Sequence, residues 1–287
     1  MPSLCLYASY VNGIGVPYYS KVFLTELKKN CSEVIYIYSN ELDADSKTML
    51  NEIGVAFLKV ENKGFDFGQW KTALSSIDLN KYDQLFLVND SSILFAPLND
   101  VMKWFNNAPI DFGGLTESLH PKQHIQSYFL GFKKTVFNDL LSFFNSKTIS
   151  SSIYEVISEF EIGLSQYLLS KNYTCAAYLS NDGYTGEFAP YYQCLKSHIA
   201  QGSPMIKKKI IFSSYRKDEV FTLARMNFDI HVDTYIDLIK KKQTVLLLSF
   251  DDLMRSEPNK MNAFERLKYV VVKTGILLYR KLNGNKR

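Results

Sequence analysis

The stretch "YDQLFLVNDSSILFAPL", from Tyr82 to Leu98, decides the fold of this chain. The apolar run over 84–88 is typical of a buried strand, and it ends on four residues with polar oxygen atoms: Asn89, Asp90, Ser91 and Ser92. In a mostly parallel sheet, ligands collect at the carboxyl ends of strands, where the chain turns into the next loop. The sequence therefore predicts that Asn89 and Asp90 face a binding crevice.

Apolar runs alternate with helical patterns on both sides of this stretch. The patterns predict strands over 4–10, 34–39, 55–60 and 173–179, a strand that feeds a helix within 127–137, and helices that start at Pro17 and cover 41–54, 69–76, 98–106 and 153–170. Strands that alternate with helices at this spacing favour an α/β fold with a single, mostly parallel sheet flanked by helices. The pattern weakens over 205–235, which predicts a main domain over 1–215 and a mostly helical extension over 216–287.

The composition excludes several classes of protein. The 20 Phe and 19 Tyr among 287 residues are too many aromatic residues for a disordered or low-complexity chain. The net charge of +4 is slight, so no nucleic-acid partner is predicted. No run approaches the roughly 18 apolar residues that span a bilayer, and the first ten residues lack the features of a signal peptide. The 4 cysteines show no metal-binding spacing, which favours reduced thiols in a cytoplasmic protein.

Asp90 has two interpretations. Hard divalent cations such as Mg²⁺ take oxygen ligands, often one or two carboxylates together with substrate phosphates. However, Asn, Asp and Ser also dominate the turns that follow strands. The upstream segment "NKGFDFG", from Asn62 to Gly68, favours a binding role, because Gly64 and Gly68 allow the backbone to approach a ligand closely and Asp66 lies between them.

Three other patterns lack the partners that their chemistry needs. The triplet Asp-Phe-Gly occurs at 66–68 and 111–113 without the other kinase motifs, and "NGIGVP" lacks the spacing of a dinucleotide-binding loop. His120 and His124 are four residues apart, as metal ligands on a helix can be. Pro121 and the lack of a third ligand instead favour a loop with solvated histidines.

The segment from Asn262 to Leu282 combines apolar residues with a basic face. It is too short in apolar length to span a bilayer, yet it is basic and amphipathic enough to lie on an anionic membrane surface. The alternative is a helix that packs on the main domain and leaves its basic face in solvent. The sequence favours neither.

Five motifs, in this order and at this spacing, resemble the rhamnan synthesis protein F family of bacterial polysaccharide glycosyltransferases. They are Asn62-x-Gly64-x-Asp66-Phe67-Gly68-x-Trp70, Asn89-Asp90-Ser91, Gly114-Leu115-Thr116, Gln126-Ser127-Tyr128-Phe129 and Glu161-Ile162-Gly163-Leu164-Ser165. The resemblance covers residues 4 to 215. More distantly, the layout resembles family 2 glycosyltransferases, which implies an A-type glycosyltransferase fold and a catalytic main domain.

The resemblance implies a role for each motif. The residues expected to bind a nucleotide diphosphate sugar donor are Ser9, Tyr10, Asn62, Gly64, Asp66, Gly68, Asn89, Asp90 and Ser91. Those expected to bind the acceptor are Thr116, Gln126 and Ser127. Glu161 is the candidate general base, with its neighbour Glu159 as the alternative. Asp90 would hold a divalent cation, Mg²⁺ or Mn²⁺, although the Asp-x-Asp motif of A-type enzymes is absent and Asn89-Asp90 supplies one carboxylate.

These roles predict an inverting glycosyltransferase that assembles cell-surface polysaccharide. The family name suggests an L-rhamnose donor activated by dTDP. A lipid-linked glycan acceptor would place the protein in the cytoplasm, on the cytoplasmic face of the inner membrane. The alternative is a non-catalytic nucleotide-sugar or glycan-binding module of the same fold, which the missing second acid would fit.

Overall fold

The computed structural model of this chain describes residues 1–11, 13–185 and 194–208. The predicted extension over 216–287, with its amphipathic segment from Asn262 to Leu282, lies outside the described residues, as does the predicted boundary at 215. Within the ranges described, no helix is long and apolar enough to cross a membrane.

Strands and helices alternate one by one from Ser3 to Asn89, and runs of several strands or several helices follow. The first half contains β1 (Ser3–Ser9), α1 (Tyr18–Asn30), β2 (Glu33–Tyr38), α2 (Ala44–Glu52), β3 (Ala56–Lys59), α3 (Phe65–Leu74), β4 (Gln84–Asn89), β5 (Ser92–Leu94) and α4 (Asn99–Asn107). The second half contains β6 (Phe112–Gly114), β7 (Glu117–Ser118), β8 (His124–Ile125), β9 (Phe129–Lys133), α5 (Phe137–Ser146), α6 (Ile153–Val156), a π-helix (Ile157–Ile162), α7 (Gly163–Ser170), β10 (Cys175–Ala177), α8 (Leu195–Ala200) and β11 (Met205–Lys207). Short 3-10 turns cover Leu79–Lys81 and Lys134–Val136.

Seven strands form one main sheet in the order β10-β6-β9-β4-β1-β2-β3. Strand β9 runs antiparallel to β4 and β6, and the other neighbours in this sheet are parallel. The pairs β5–β11 and β7–β8 form two small antiparallel ribbons beside it. The predicted α/β fold, with a single, mostly parallel main sheet flanked by helices, is confirmed.

Strand β1 shows why the sheet needs helices on both faces. Its side chains alternate between two cores: Leu4 and Leu6 belong to one, and Cys5 and Tyr7 belong to the other. All are fully buried, as expected for a parallel strand covered on both sides. Trp70 lies in the first core, and its Nε1 donates to the carbonyl of Leu6 at 3.2 Å. The four cysteines are unpaired, with Cys175 half-buried and three buried: Cys5, Cys31 and Cys194.

Helix α3 and the helical stretch over 153–170 differ from their predictions next to the motifs of interest. Helix α3 begins at Phe65, four residues before the predicted start at 69, because Gly64 adopts the left-handed conformation (φ +77°) just before it. The stretch predicted as one long helix or a pair over 153–170 is a continuous run of α6, π-helix and α7. A π-helix is rare and occurs frequently at functional sites.

Candidate active site

An open cavity of about 490 Å³ lies at the carboxyl ends of β1 and β4, beside the first turn of α3. Because β1 and β4 are parallel neighbours, the residues that follow them meet at one edge of the sheet. The cavity is lined by Ala8, Ser9, Tyr10, Asn62, Phe65, Asp66, Gln69, Asn89, Asp90, Ser91 and Ile153. Seven of the nine predicted donor-binding residues therefore line one cavity.

Asn89 connects the two motifs that the sequence predicted to cooperate. Its Nδ2 donates to Asp66 Oδ2 at 2.5 Å. Its Oδ1 accepts from the backbone N–H of Ser91 at 3.1 Å and from the Ser91 hydroxyl at 2.6 Å. Asn89 is buried, so its amide holds Asp66 and the turn after β4 in a fixed relation.

One carboxylate oxygen of Asp90, Oδ2, makes the contacts of this side chain with other residues. Its Oδ2 accepts from the Ser9 hydroxyl and the Tyr19 hydroxyl, both at 3.2 Å, and lies 3.5 Å from Lys208 Nζ. Burial, reinforced by the charge of Asp90, raises the pKa of Tyr19 well above its ordinary value, so Tyr19 keeps its proton and acts as a donor. The Oδ1 atom accepts no hydrogen bond from the described residues and is left for a ligand at the cavity.

Lys207 and Lys208, which we call the lysine pair, come to this site from a distant part of the sequence. Strand β11 pairs antiparallel with β5, so Lys207 lies opposite Ser92, and the backbone N–H of Lys208 donates to the carbonyl of Ser91 at 2.8 Å. Lys208 Nζ donates to the Tyr19 hydroxyl at 2.9 Å and lies 4.4 Å from the centre of that ring. Burial lowers the pKa of Lys207 to about 8, against the opposing influence of two nearby carboxylates, Glu161 and Asp66.

Glu161 lies in the π-helix and belongs to the same group of charges. Its Oε1 accepts from the backbone N–H of Ser127 at 3.1 Å, which fixes the orientation of the carboxylate. Burial and, to a smaller extent, the charge of Glu161 raise the pKa of Asp66 from 3.8 to about 6, against the opposing influence of Asn89 and Lys207. A carboxyl group at a cavity whose pKa is shifted by burial and by a nearby charge is a candidate functional residue.

The raised pKa of Asp66 predicts a pH-dependent stability. A carboxyl whose pKa is higher in the folded state contributes stability at low pH, and that contribution is lost as the pH rises through about 6. We therefore expect the free energy of unfolding of Asp66→Asn, relative to wild type, to increase between pH 4 and 6 and to level off above pH 7. Urea unfolding across this range measures the difference. A difference that stays constant with pH would contradict the raised pKa, whatever its sign.

Residues 34–270 match the family model described as Rhamnan synthesis protein F. The chain belongs to this family. A curated relative, Virulence protein VirA of Vibrio anguillarum, is 33% identical over 131 residues, which cover 42% of this chain and 41% of that protein. The match thus spans about two fifths of the relative's length.

Solved structures with a similar fold come from several bacteria. A putative glucose-1-phosphate thymidylyltransferase from Bacillus anthracis is 12% identical, with a TM-score of 0.42, and the match covers 61% of this chain and 86% of that one. The glycosyltransferase GlyE from Streptococcus pneumoniae TIGR4 is 11% identical, with a TM-score of 0.42, covering 85% and 64%. A putative nucleotide-diphospho-sugar transferase from Desulfovibrio desulfuricans G20 is 14% identical, with a TM-score of 0.39, covering 79% and 99%. The likeness concerns the fold alone.

The three residues predicted to bind the acceptor are buried in the protein and do not line the cavity. Thr116 and Gln126 are buried, and the Thr116 hydroxyl donates to Gln126 Oε1 at 2.8 Å and lies 2.7 Å from the Tyr128 hydroxyl. Ser127 is also buried, and its backbone N–H holds Glu161. These three residues, predicted to bind the acceptor, do not line the cavity, and Ser127 positions the candidate base.

The two glycines of the first family motif also lie outside the cavity wall. A Cβ atom on Gly68 would lie 1.7 Å from the carbonyl oxygen of Lys63, and one on Gly64 would lie 1.8 Å from Ile149 Cγ2. These glycines therefore allow other parts of the protein, the backbone of Lys63 and the side chain of Ile149, to pack closely against the start of α3. Donor binding by Gly64 and Gly68 remains a prediction.

Gln69 is a cavity residue that the sequence interpretation missed, although it occupies an unspecified position inside the first motif. Its Nε2 donates to the carbonyl of Ser9 at 3.1 Å and to the Ser39 hydroxyl at 3.3 Å. Its Oε1 is buried without a hydrogen-bond partner in the described part of the chain. Such an acceptor beside a cavity can receive a donor group of a ligand.

The described residues fit a cation that is held mainly by its substrate. Among residues 1–11, 13–185 and 194–208, no three His, Cys, Asp or Glu side chains converge on one point. Asp90 Oδ1, which accepts no hydrogen bond from the described residues, suits Mg²⁺ or Mn²⁺ bound by one carboxylate and substrate phosphates, and does not suit a cage built by protein alone. The prediction for the histidines is wrong for His124: His120 is exposed, but His124 is buried in β8, with Nδ1 2.8 Å from the Lys122 carbonyl.

Proposed function

We propose that this protein is a glycosyltransferase that moves a sugar from a nucleotide diphosphate donor to the hydroxyl of a glycan acceptor. The observation that supports it most is a strand-end cavity lined by Asp66 and Asp90, with Lys208 paired to Asp90 and with Lys207 and Glu161 close enough to Asp66 to act on its charge. Family membership supports the same class of substrate. The donor would lie in the cavity, with its nucleoside toward Ser9, Tyr10 and Gln69 and its diphosphate toward Asp90.

The charges of the site favour a divalent cation that arrives with the donor. The described charges near Asp90 and Asp66 are three carboxylates and two ammonium groups, so a divalent cation that accompanies the donor would strengthen the binding of an anionic diphosphate. We propose Mg²⁺ or Mn²⁺, held at Asp90 Oδ1 and by the phosphates. When bound, this ion would stabilise the charge that grows on the departing diphosphate.

Glu161 would act as the general base of an inverting, single-displacement reaction. It would accept the proton of the acceptor hydroxyl while that oxygen bonds to the anomeric carbon and the bond to the diphosphate breaks. The hydrogen bond from Ser127 holds one oxygen of Glu161, which leaves the other to meet the acceptor. The proposal extends to L-rhamnose as the sugar, a lipid-linked glycan as the acceptor, and the cytoplasmic face of the inner membrane as the place of reaction.

A measurement of donor breakdown tests the proposed function. We expect slow release of nucleoside diphosphate when the protein is incubated with dTDP-, UDP- or GDP-sugars and Mn²⁺ without acceptor, and a strong fall in EDTA. Water can replace the acceptor hydroxyl at a site that already holds the activated donor. Donor binding without any release would instead favour a non-catalytic binding module, the alternative that the single acid of Asn89-Asp90 supports.

A further inference from the structure

We propose that Lys207 and Lys208 bind the diphosphate of the donor, as two cations that belong to the protein. The proposal deepens the proposed function and depends on it. It rests on where β11 places the lysine pair, on what each lysine contacts, and on the balance of charge at the cavity.

Strand β11 fixes the lysine pair at the turn that carries Asp90. Its pairing with β5 sets Lys207 against Ser92, and the bond from the Lys208 backbone to Ser91 extends that pairing by one residue. Successive side chains of a strand point to opposite sides. Accordingly, Lys208 reaches Asp90 and Tyr19, whereas Lys207 lies within the electrostatic influence of Asp66 and Glu161.

Both lysines lie against tyrosine rings instead of extending into solvent, as most lysine side chains do. The side chain of Lys208 is only 16% exposed, and each lysine lies 4.4 Å from the centre of a tyrosine ring, Tyr19 for Lys208 and Tyr128 for Lys207. Lysine is seldom buried unless it is paired with an opposite charge. Lys208 Nζ lies 3.5 Å from Asp90 Oδ2, so this pairing keeps a buried positive charge next to a residue that lines the cavity.

The charge balance explains why a diphosphate would need the pair. Asp66, Asp90 and Glu161 are negative, and among the described residues Lys207 and Lys208 supply positive charge that acts on them. Lysine binds phosphate as a compact point charge, and a cation that is already in place stabilises the departing diphosphate at no cost of reorganisation. The Tyr19 hydroxyl, which accepts from Lys208 and donates to Asp90, keeps the ammonium group beside Asp90, which lines the cavity.

Calorimetric titration of the full chain with UDP, dTDP, GDP and pyrophosphate, in EDTA and again in Mn²⁺, tests the proposal. We expect Lys208→Met to weaken the binding of at least one nucleoside diphosphate by about 10- to 100-fold in both buffers, as a lost bond to a charged group implies. Lys207→Met should show a similar loss, and Lys208→Arg should retain most of the affinity because it keeps the charge.

Lys171→Met is the matched control. Lys171 Nζ also lies 3.5 Å from an aspartate, Asp139, and 5.6 Å from the centre of a tyrosine ring, Tyr167, but Asp139, unlike Asp90, does not line the cavity. Its replacement should leave nucleotide affinity unchanged. Thermal melting shows whether each variant is folded, and Lys207→Met and Lys208→Arg decide the question if Lys208→Met is not.

The possible results separate this inference from the proposed function. Wild-type affinity in folded variants of both lysines would overturn the inference, even if the protein releases nucleoside diphosphate from a donor. Binding by the wild type that disappears entirely in EDTA would overturn it as well, because the lysine pair would then supply no affinity of its own. Failure of the wild type to bind any of these nucleotides, with or without Mn²⁺, would overturn the proposed function itself.

Discussion

Replacement of Asp90 by asparagine is expected to lower the rate of sugar transfer by about 100- to 1,000-fold, the loss typical when one preorganised electrostatic contact to a transition state is removed. The asparagine Oδ1 can still accept from Ser9 and Tyr19, so the fold around the site should persist. What disappears is the negative charge that holds Lys208 and the proposed cation. Steady-state kinetics of transfer, with donor affinity measured separately, give the effect.

Asp139→Asn is the control for this experiment, because Asp139 has a similar set of partners at a different place. It accepts from the Tyr167 hydroxyl at 3.1 Å and the Tyr173 hydroxyl at 2.9 Å, and it lies 3.5 Å from Lys171 Nζ. Loss of such a network should affect stability and leave transfer intact. If Asp90→Asn retains the activity of Asp139→Asn, Asp90 has no part in the mechanism. If transfer is undiminished in EDTA, the divalent cation has no part in the mechanism, and the lysine pair is the source of positive charge.

The sheet could be predicted from the sequence because its determinants are local. Apolar runs such as 84–88 and the alternation of β1 between two cores follow from side-chain chemistry within a few residues. The meeting of Asn89 with Asp66 could be anticipated as well, because parallel strands bring their carboxyl ends to one edge of a sheet. Seven of the predicted donor-binding residues therefore line one cavity, although the sequence contains no information on distances.

The lysine pair could not be placed in the same way. The sequence shows a basic run after Pro204, but a basic run is most often a solvated surface, and nothing local indicates that β11 pairs with β5 more than 100 residues earlier. Long-range strand pairing depends on shape and register, which a single sequence does not display. The same limit applies to Thr116 and Gln126, whose motif is visible but whose burial behind the wall depends on the packing of other elements.

Replacement of Glu161 by glutamine is expected to cause the largest loss of transfer, about 100- to 10,000-fold, because general-base catalysis typically contributes that factor. Glutamine keeps an oxygen that can accept from the Ser127 backbone N–H, so the side chain can remain in position. It cannot take a proton. Donor affinity should change little, since the proposed role of Glu161 concerns the acceptor hydroxyl.

Glu159→Gln provides the comparison within the same π-helix. Glu159 is the alternative base, but its side chain is 57% exposed and pairs with Lys147 at 2.5 Å, so its loss should change stability by at most about 0.5 kcal/mol and leave transfer unaltered. Transfer rates and donor binding of the two variants, measured together, identify the base. A slow Glu161→Gln with normal donor binding supports Glu161, whereas a slow Glu159→Gln beside a normal Glu161→Gln would assign the proton transfer to Glu159. If both variants transfer at the wild-type rate, neither carboxylate is the base, and the bond from Ser127 to Glu161 serves only to join the π-helix to the sheet.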